Sequence, residues 1–137
     1  MAKFRKVHVS FWDDGFVETL TPEDKYFYLF LMTNPLTKEC GIYHITKRKM
    51  SWYTGYNQES IEKLLKRMCE SGKIAWSEET SEVALLNKLK HIDRLGKPIM
   101  DCIESELKLV KDKSLIKQVS KLGSKEELLS LYGKYSS

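Results

Sequence analysis

The chain has 137 residues, of which 42% are hydrophobic and 31% are charged, and its formal net charge is +4. This composition is typical of a globular protein with its own core and excludes a disordered chain. The small basic excess permits a polyanionic partner, but it excludes a protein that coats DNA by charge alone.

The sequence also bears on cellular location. No apolar run approaches the roughly 20 residues of a membrane span, and the basic start of the chain lacks the apolar stretch of a signal peptide. The cysteines, Cys40, Cys69 and Cys102, are odd in number and far apart, which favours a reducing compartment over a disulfide framework. We therefore expect a cytoplasmic protein with no membrane partner.

The first predicted elements are an extended segment and a core helix. Apolar and polar residues alternate imperfectly over 3–12, which predicts an extended arm or an edge strand. Thr21 and Pro22, followed by two acidic residues, are typical of a helix start. The helix that follows is apolar nearly all round, and it ends at Asn34 because the residue before Pro35 avoids helical backbone.

A short strand and a short helix come next. Residues 41–45 are β-prone and predict a strand. Thr46 is a good N-cap for a helix over 47–54, and Gly55 breaks the chain after it.

A second helix follows the break. Asn57 is its predicted N-cap, the helix extends from 58 to about 71, and Gly72 is placed to end it in a left-handed conformation. Its apolar residues have the spacing of one buried stripe: Ile61, Leu64, Leu65 and Met68.

The remaining elements are a hairpin and a set of helices. Residues 73–77 and 82–86 are β-prone and flank a polar turn. A linker over 91–98 contains the breakers Gly96 and Pro98. Helices are then predicted over about 98–111, 113–122 and 124–135, and the last of them begins with the capping-box pair Ser124 and Glu127.

The order helix, strand, helix, tight turn, helix, hairpin is that of a winged helix-turn-helix. We therefore predict an α+β fold, mainly α, with a short hairpin wing and helices after it. Residues 1–90 are the predicted winged-helix DNA-binding domain, 91–98 the linker and 99–137 a helical segment. That last segment is either an oligomer interface or the start of a larger domain.

Charge favours the same interpretation. Residues 47–73 contain seven basic and three acidic side chains, and seven minus three gives the whole net charge of +4. Phosphate contacts by such residues supply affinity without sequence preference. The first turns of the second helix offer Asn57, Gln58 and Ser60 to base edges, with Lys63 and Arg67 further along its polar side. The other contact candidates are Lys47, Arg48, Lys49, Lys73, Trp76, Ser77 and Thr80, with Arg5 and Lys6 as weaker ones.

The stretch from Phe4 to about Asn87 resembles the N-terminal domain of phage replisome organiser proteins, relatives of the DnaD-like primosome proteins of Gram-positive bacteria and their phages. The matching pieces are RKV from Arg5, FWDDGFV from Phe11, LTPEDKYFYL from Leu20, LMTNP from Leu31, CGIY from Cys40, TGY from Thr54 and GKI from Gly72. The resemblance implies a winged-helix fold and a role in starting phage DNA replication inside a bacterial host. It also implies self-association, binding to origin duplex DNA and recruitment of a replicative helicase or its loader.

No catalytic pattern is present. The histidines His8, His44 and His91 have no zinc spacing with the cysteines, and no phosphate-binding loop occurs. Asp13 and Asp14 are better explained by a loop or a helix cap than by a metal site. We expect no enzyme activity, no metal and no cofactor.

Two alternatives remain open. The domain could be a protein–protein assembly module of a primosome, with the helices over 98–135 forming a homo-oligomer interface. It could also be a winged-helix transcription regulator, which differs only in its target site. For the tryptophans, Trp12, Trp52 and Trp76, core packing is favoured over base stacking, with Trp76 as the exception worth testing.

Overall fold

The computed structural model describes residues 3–92, 95–123 and 125–137, with His91 described in its backbone only. They form an α+β fold, mainly helical, with a three-stranded antiparallel sheet. The elements in chain order are a 3-10 turn (Val9–Asp13), α1 (Gly15–Glu18), α2 (Pro22–Thr33), β1 (Ile42–His44), α3 (Lys47–Thr54), α4 (Gln58–Glu70), β2 (Ile74–Ser77), β3 (Glu82–Leu85), a 3-10 turn (Lys88–His91), α5 (Lys97–Leu107), α6 (Lys113–Ser120) and α7 (Glu126–Tyr135).

The predicted helix starts are confirmed for α2, α3 and α4. The side chains of Thr21, Thr46 and Asn57 each accept a hydrogen bond from the backbone N–H three residues later. This local contact satisfies a donor that the helix itself leaves unpaired. Gly55 ends α3 with a φ of +86°, a conformation that disfavours any side chain.

Of the two alternatives expected for residues 3–12, an extended arm or an edge strand, the edge strand is wrong, because the segment contributes no strand to the described sheet. The second half of the 3–12 segment is a 3-10 turn, and Phe11 is its buried residue. Asp14 then accepts hydrogen bonds from the N–H groups of Phe16 and Val17 and begins α1. The alternating pattern misled because Phe4, Val7 and Val9 are exposed and only Phe11 is buried, so the segment has no apolar face to place on a sheet.

The inner face of the sheet packs on the N-terminal helices. In the order β1-β3-β2, Tyr43 lies opposite Val83, and Val83 lies opposite Trp76. These three side chains belong to the core that contains α2 and the buried stripe of α4. The predicted stripe is confirmed, since all four of its residues are buried.

The outer face of the sheet packs on the C-terminal helices. Ala84, flanked by Ile42 and Ala75, faces a second core cluster that contains buried residues of α5, α6 and α7. The predicted division into domains stays a prediction, because it concerns independent folding. The capping box at Ser124 lies outside the described residues.

Polar contacts join the two halves as well. The Glu106 carboxylate in α5 accepts a hydrogen bond from the Cys40 N–H at 2.8 Å, and the Tyr132 hydroxyl in α7 donates to the Cys40 carbonyl at 2.8 Å. In return, buried Glu82 of β3 accepts the N–H groups of Lys111 and Asp112 at 2.9 and 2.8 Å. None of the helices in the described part of the chain has the length and apolar character that crossing a bilayer requires.

Cys40 provides a test of the contact between the two halves of the chain. Burial raises the pKa of its thiol to about 12. In a Cys69→Ser, Cys102→Ser background, we expect iodoacetamide to alkylate Cys40 at pH 8 at least ~100-fold more slowly in buffer than in urea, because only opening exposes the thiolate. Because the pKa of the Cys40 thiol is higher in the folded than in the unfolded protein, its burial stabilises the fold below the unfolded pKa. This contribution to the free energy of unfolding is lost as pH rises towards 12. Equal rates by mass spectrometry in buffer and urea would contradict the packing.

Candidate nucleic-acid interface

Helices α3 and α4 form a compact pair joined by a short turn. Met50 is the buried residue of α3, and the turn is held because the Ser51 hydroxyl donates to the Tyr56 carbonyl. The Tyr26 ring of α2 packs on Tyr56 at a centroid distance of 6.0 Å. The ion pair between Lys47 and Glu62 places the polar side of α4 beside the first turn of α3.

Arg67 lies on the surface of α4 with its side chain 50% exposed, but its charge is already paired within the protein. Its guanidinium binds the Asp24 carboxylate of α2 through contacts of 3.0 to 3.3 Å, while the Asp24 side chain is only 8% exposed. The Thr21 hydroxyl donates to the same carboxylate. Arg67 thus compensates a buried charge and fixes α4 against the start of α2.

Lys47 is also neutralised within the protein. Its ammonium forms an ion pair with Glu62 of α4 at 2.5 Å and another with Glu78 of the hairpin, and it lies 6.0 Å from the Trp76 ring centre. Desolvation lowers the pKa of Lys47, but the two carboxylates outweigh it and the pKa is raised. The same contact lowers the pKa of Glu78. Lys47 therefore ties α3, α4 and the hairpin together.

The hairpin differs from the predicted phosphate-contacting wing. Its turn carries the exposed carboxylates of Glu78 and Glu79, which repel phosphate. Thr80 donates its hydroxyl to Glu82, and Ser77 is buried, so it cannot make the predicted surface contact. Trp76 is half-buried beneath Lys47.

The other predicted cations differ in how strongly their charges are already paired within the protein. The Lys73 ammonium lies 5.0 Å from the Phe16 ring centre, and Arg5 binds Thr37 and Glu39. Lys63 has an exposed partner, Glu59, at 3.6 Å. Such an exposed pair is worth only about 0.3–0.5 kcal/mol and exchanges easily for a phosphate. Lys6 is exposed.

Two predicted contacts, Arg48 and Lys49, and one cation that was not predicted as a contact, Lys66, are exposed, and we call these three residues the exposed basic surface. Arg48 and Lys49 line one depression, and Lys66 lines another. None of the three has an ion pair among the residues that the structure describes, although Lys49 lies over the Tyr53 ring. At the start of α4, Gln58 and Asn57 are exposed, while Ser60 is half-buried. The Asn57 side-chain oxygen is committed to capping the Ser60 N–H.

The expectation for the tryptophans is wrong for two of them. Trp12 is 60% exposed and Trp52 is 78% exposed, whereas Trp76 is the most enclosed of the three. Trp52 follows Met50 by two positions, which places it about 200° around the helix from the buried side. The spacing from Met50 is the sequence signal for this exposure, but it becomes useful only once the packing shows that Met50 faces inward.

No protein-family model matches the chain, and comparison with curated proteins and with solved structures gives no match either. The resemblance to replisome organiser proteins therefore stays a hypothesis. In the described part of the chain, no three His, Cys, Asp or Glu side chains are grouped as a metal site would require.

We predict that Arg67→Ala lowers the free energy of unfolding by about 1–3 kcal/mol, because it leaves the buried Asp24 carboxylate without its cation. Urea titration followed by circular dichroism measures the change. The matched control is Lys66→Ala on the same helix, for which we expect less than about 0.5 kcal/mol. Equal effects of the two substitutions would show that Arg67 has no structural role.

Proposed function

We propose that the protein binds duplex DNA through α3 and α4 of a winged helix-turn-helix, in which the β2–β3 hairpin is the wing. The element order and the strand order β1-β3-β2 support this architecture. The observation that carries the DNA proposal is the exposed basic surface, whose cations lack acidic partners among the described residues.

The proposed contacts divide by chemistry. Arg48, Lys49 and Lys66 neutralise phosphates, and Lys63 joins them by exchanging Glu59 for a phosphate. Gln58, exposed in the first turn of α4, is placed as the candidate for base-edge hydrogen bonds.

Predicted contacts whose side chains are engaged or buried within the protein are left out of the proposed surface. They are Arg5, Lys47, Asn57, Arg67, Lys73, Trp76, Ser77 and Thr80. The acidic hairpin turn supports the same choice, since it favours contact through α3 and α4 over contact through the wing tip.

The biological context comes from the resemblance alone. It makes origin duplex DNA of a phage the natural first target and a replicative helicase or its loader a candidate partner. A transcription regulator would use the same surface, so the two roles differ in which duplex binds most tightly.

Fluorescence anisotropy with a labelled duplex tests the DNA proposal. We expect affinity to fall steeply with salt, and Arg48→Ala and Lys66→Ala each to reduce the slope of log K against log salt by about one, because each removes a phosphate contact. Lys117→Ala, an exposed lysine on α6, is the matched control and leaves the slope unchanged. If folded protein fails to bind at low salt, or if all three variants match the wild type, the DNA proposal is wrong.

A second candidate function is assembly with another copy of the chain. The observation that favours it is the exposure of large apolar side chains in the N-terminal segment: Phe4 is 74% and Val9 is 86% exposed, with Trp12 nearby in sequence. Apolar groups concentrated on a surface are typical of association sites.

We predict that Val9→Ser with Trp12→Ser lowers the oligomeric state measured by sedimentation velocity, because it removes apolar area from this segment. Leu109→Ser, at an exposed leucine in the 98–135 segment, tests the alternative interface: a lower oligomeric state in this variant alone would assign self-association to that segment. A wild-type monomer at high concentration would contradict self-association.

A further inference from the structure

Trp52 lies on α3 next to two cations of the exposed basic surface. Arg48 precedes it by four residues and Lys49 by three, so that the three side chains share one side of the helix. Together with Thr46 they line a shallow depression. The indole makes no ring contact or hydrogen bond among the described residues.

Packing does not explain this tryptophan. Met50 fills the buried side of α3, and Tyr53 packs on Phe30 of α2 at a centroid distance of 6.1 Å. Both inward contacts of the helix are therefore supplied by other residues. The indole, 78% exposed and without a packing role, therefore presents its aromatic faces for contact with a ligand.

Helix stability does not explain the cations either. Arg48 and Lys49 occupy the first turn of α3, where the positive end of the helix dipole disfavours positive side chains. The helix contains no acidic residue to offset them. Lys47 has two carboxylate partners, but Arg48 and Lys49 have none among the described residues.

We propose that Arg48, Lys49 and Trp52 bind an unpaired nucleotide of single-stranded DNA. The indole offers a flat face on which a base stacks, and the two cations contact the flanking phosphates. The depression has no carboxylate in its lining, which suits a polyanion and disfavours a basic peptide. This inference rests on the proposed function and extends it: the surface that holds the duplex also holds a strand where pairing is broken.

The experiment uses the full chain with a 5′-labelled oligothymidylate and with a phosphate oligomer of the same length whose sites are all abasic. We expect the oligothymidylate to bind at least about tenfold more tightly and to quench tryptophan fluorescence, because only it has bases to stack. Equal binding of the two oligomers would overturn the proposal.

Variants locate the stacking residue. We expect Trp52→Ala to lower oligothymidylate affinity about tenfold and Trp52→Phe to recover most of it, because Phe retains an aromatic face. Lys117→Ala, at an exposed side chain on α6 to which no binding role is assigned, is the control and leaves the affinity unchanged. Wild-type affinity and quenching in Trp52→Ala would overturn the proposal.

Duplex binding, measured in parallel, separates this inference from the proposed function. We expect Trp52→Ala to keep duplex affinity within about twofold, because the duplex leaves no base free to stack. Wild-type protein that binds the strand through Trp52 but not the duplex would refute the duplex proposal alone. Protein that binds the duplex with the predicted salt dependence, but shows no Trp52-dependent strand binding, would refute this inference alone.

Discussion

The rest of the structure depends on the burial of β3 on both edges and both faces. Its backbone pairs with β1 and β2, its inner side chains meet α2 and α4, and its outer ones meet the C-terminal helices. A three-stranded sheet this short is marginal unless its apolar faces are covered. Glu82 is the one charged residue of the strand, and it is tolerated because its carboxylate accepts three hydrogen bonds. The same sheet that supports α4 is thus fixed to the second half of the chain.

Ion pairing decides which part of this scaffold can meet a polyanion. The sequence concentrates its net charge in residues 47–73, but Lys47 is bound by Glu62 and Glu78, and Arg67 is bound by Asp24. These two cations hold the helices and the hairpin together, so removing either side chain would disturb the packing of these elements. The charge that remains for a ligand lies on α3 and along the outer side of α4. Because Arg48 and Lys49 of α3 are among the cations that stay free, Trp52, which lines the same depression, lies beside free positive charge.

Local chemistry made the first fold predictions reliable. Capping by Thr21, Thr46 and Asn57 and the left-handed turn at Gly55 involve neighbours in sequence, so the pattern alone contains the needed information. The edge strand expected over 3–12 failed for the opposite reason: whether alternating residues form a buried face depends on distant packing, and here only Phe11 reaches the core. The outer face of the sheet was unpredicted because small residues such as Ala75 and Ala84 give no sign of what covers them.

The sequence by itself determined the order of the elements from α2 to β3, the caps of α2, α3 and α4, the buried stripe of α4 and the excess of cations between Lys47 and Lys73. Each of these is a property of composition or of spacing along the chain. Only the tertiary structure decided which cations are free. An ion pair such as that of Arg67 with Asp24 joins residues 43 positions apart, and its energy depends on a distance and a burial that no local pattern contains. The exposure of Trp52 was decided in the same way, since it depends on which side of α3 the neighbouring helices cover.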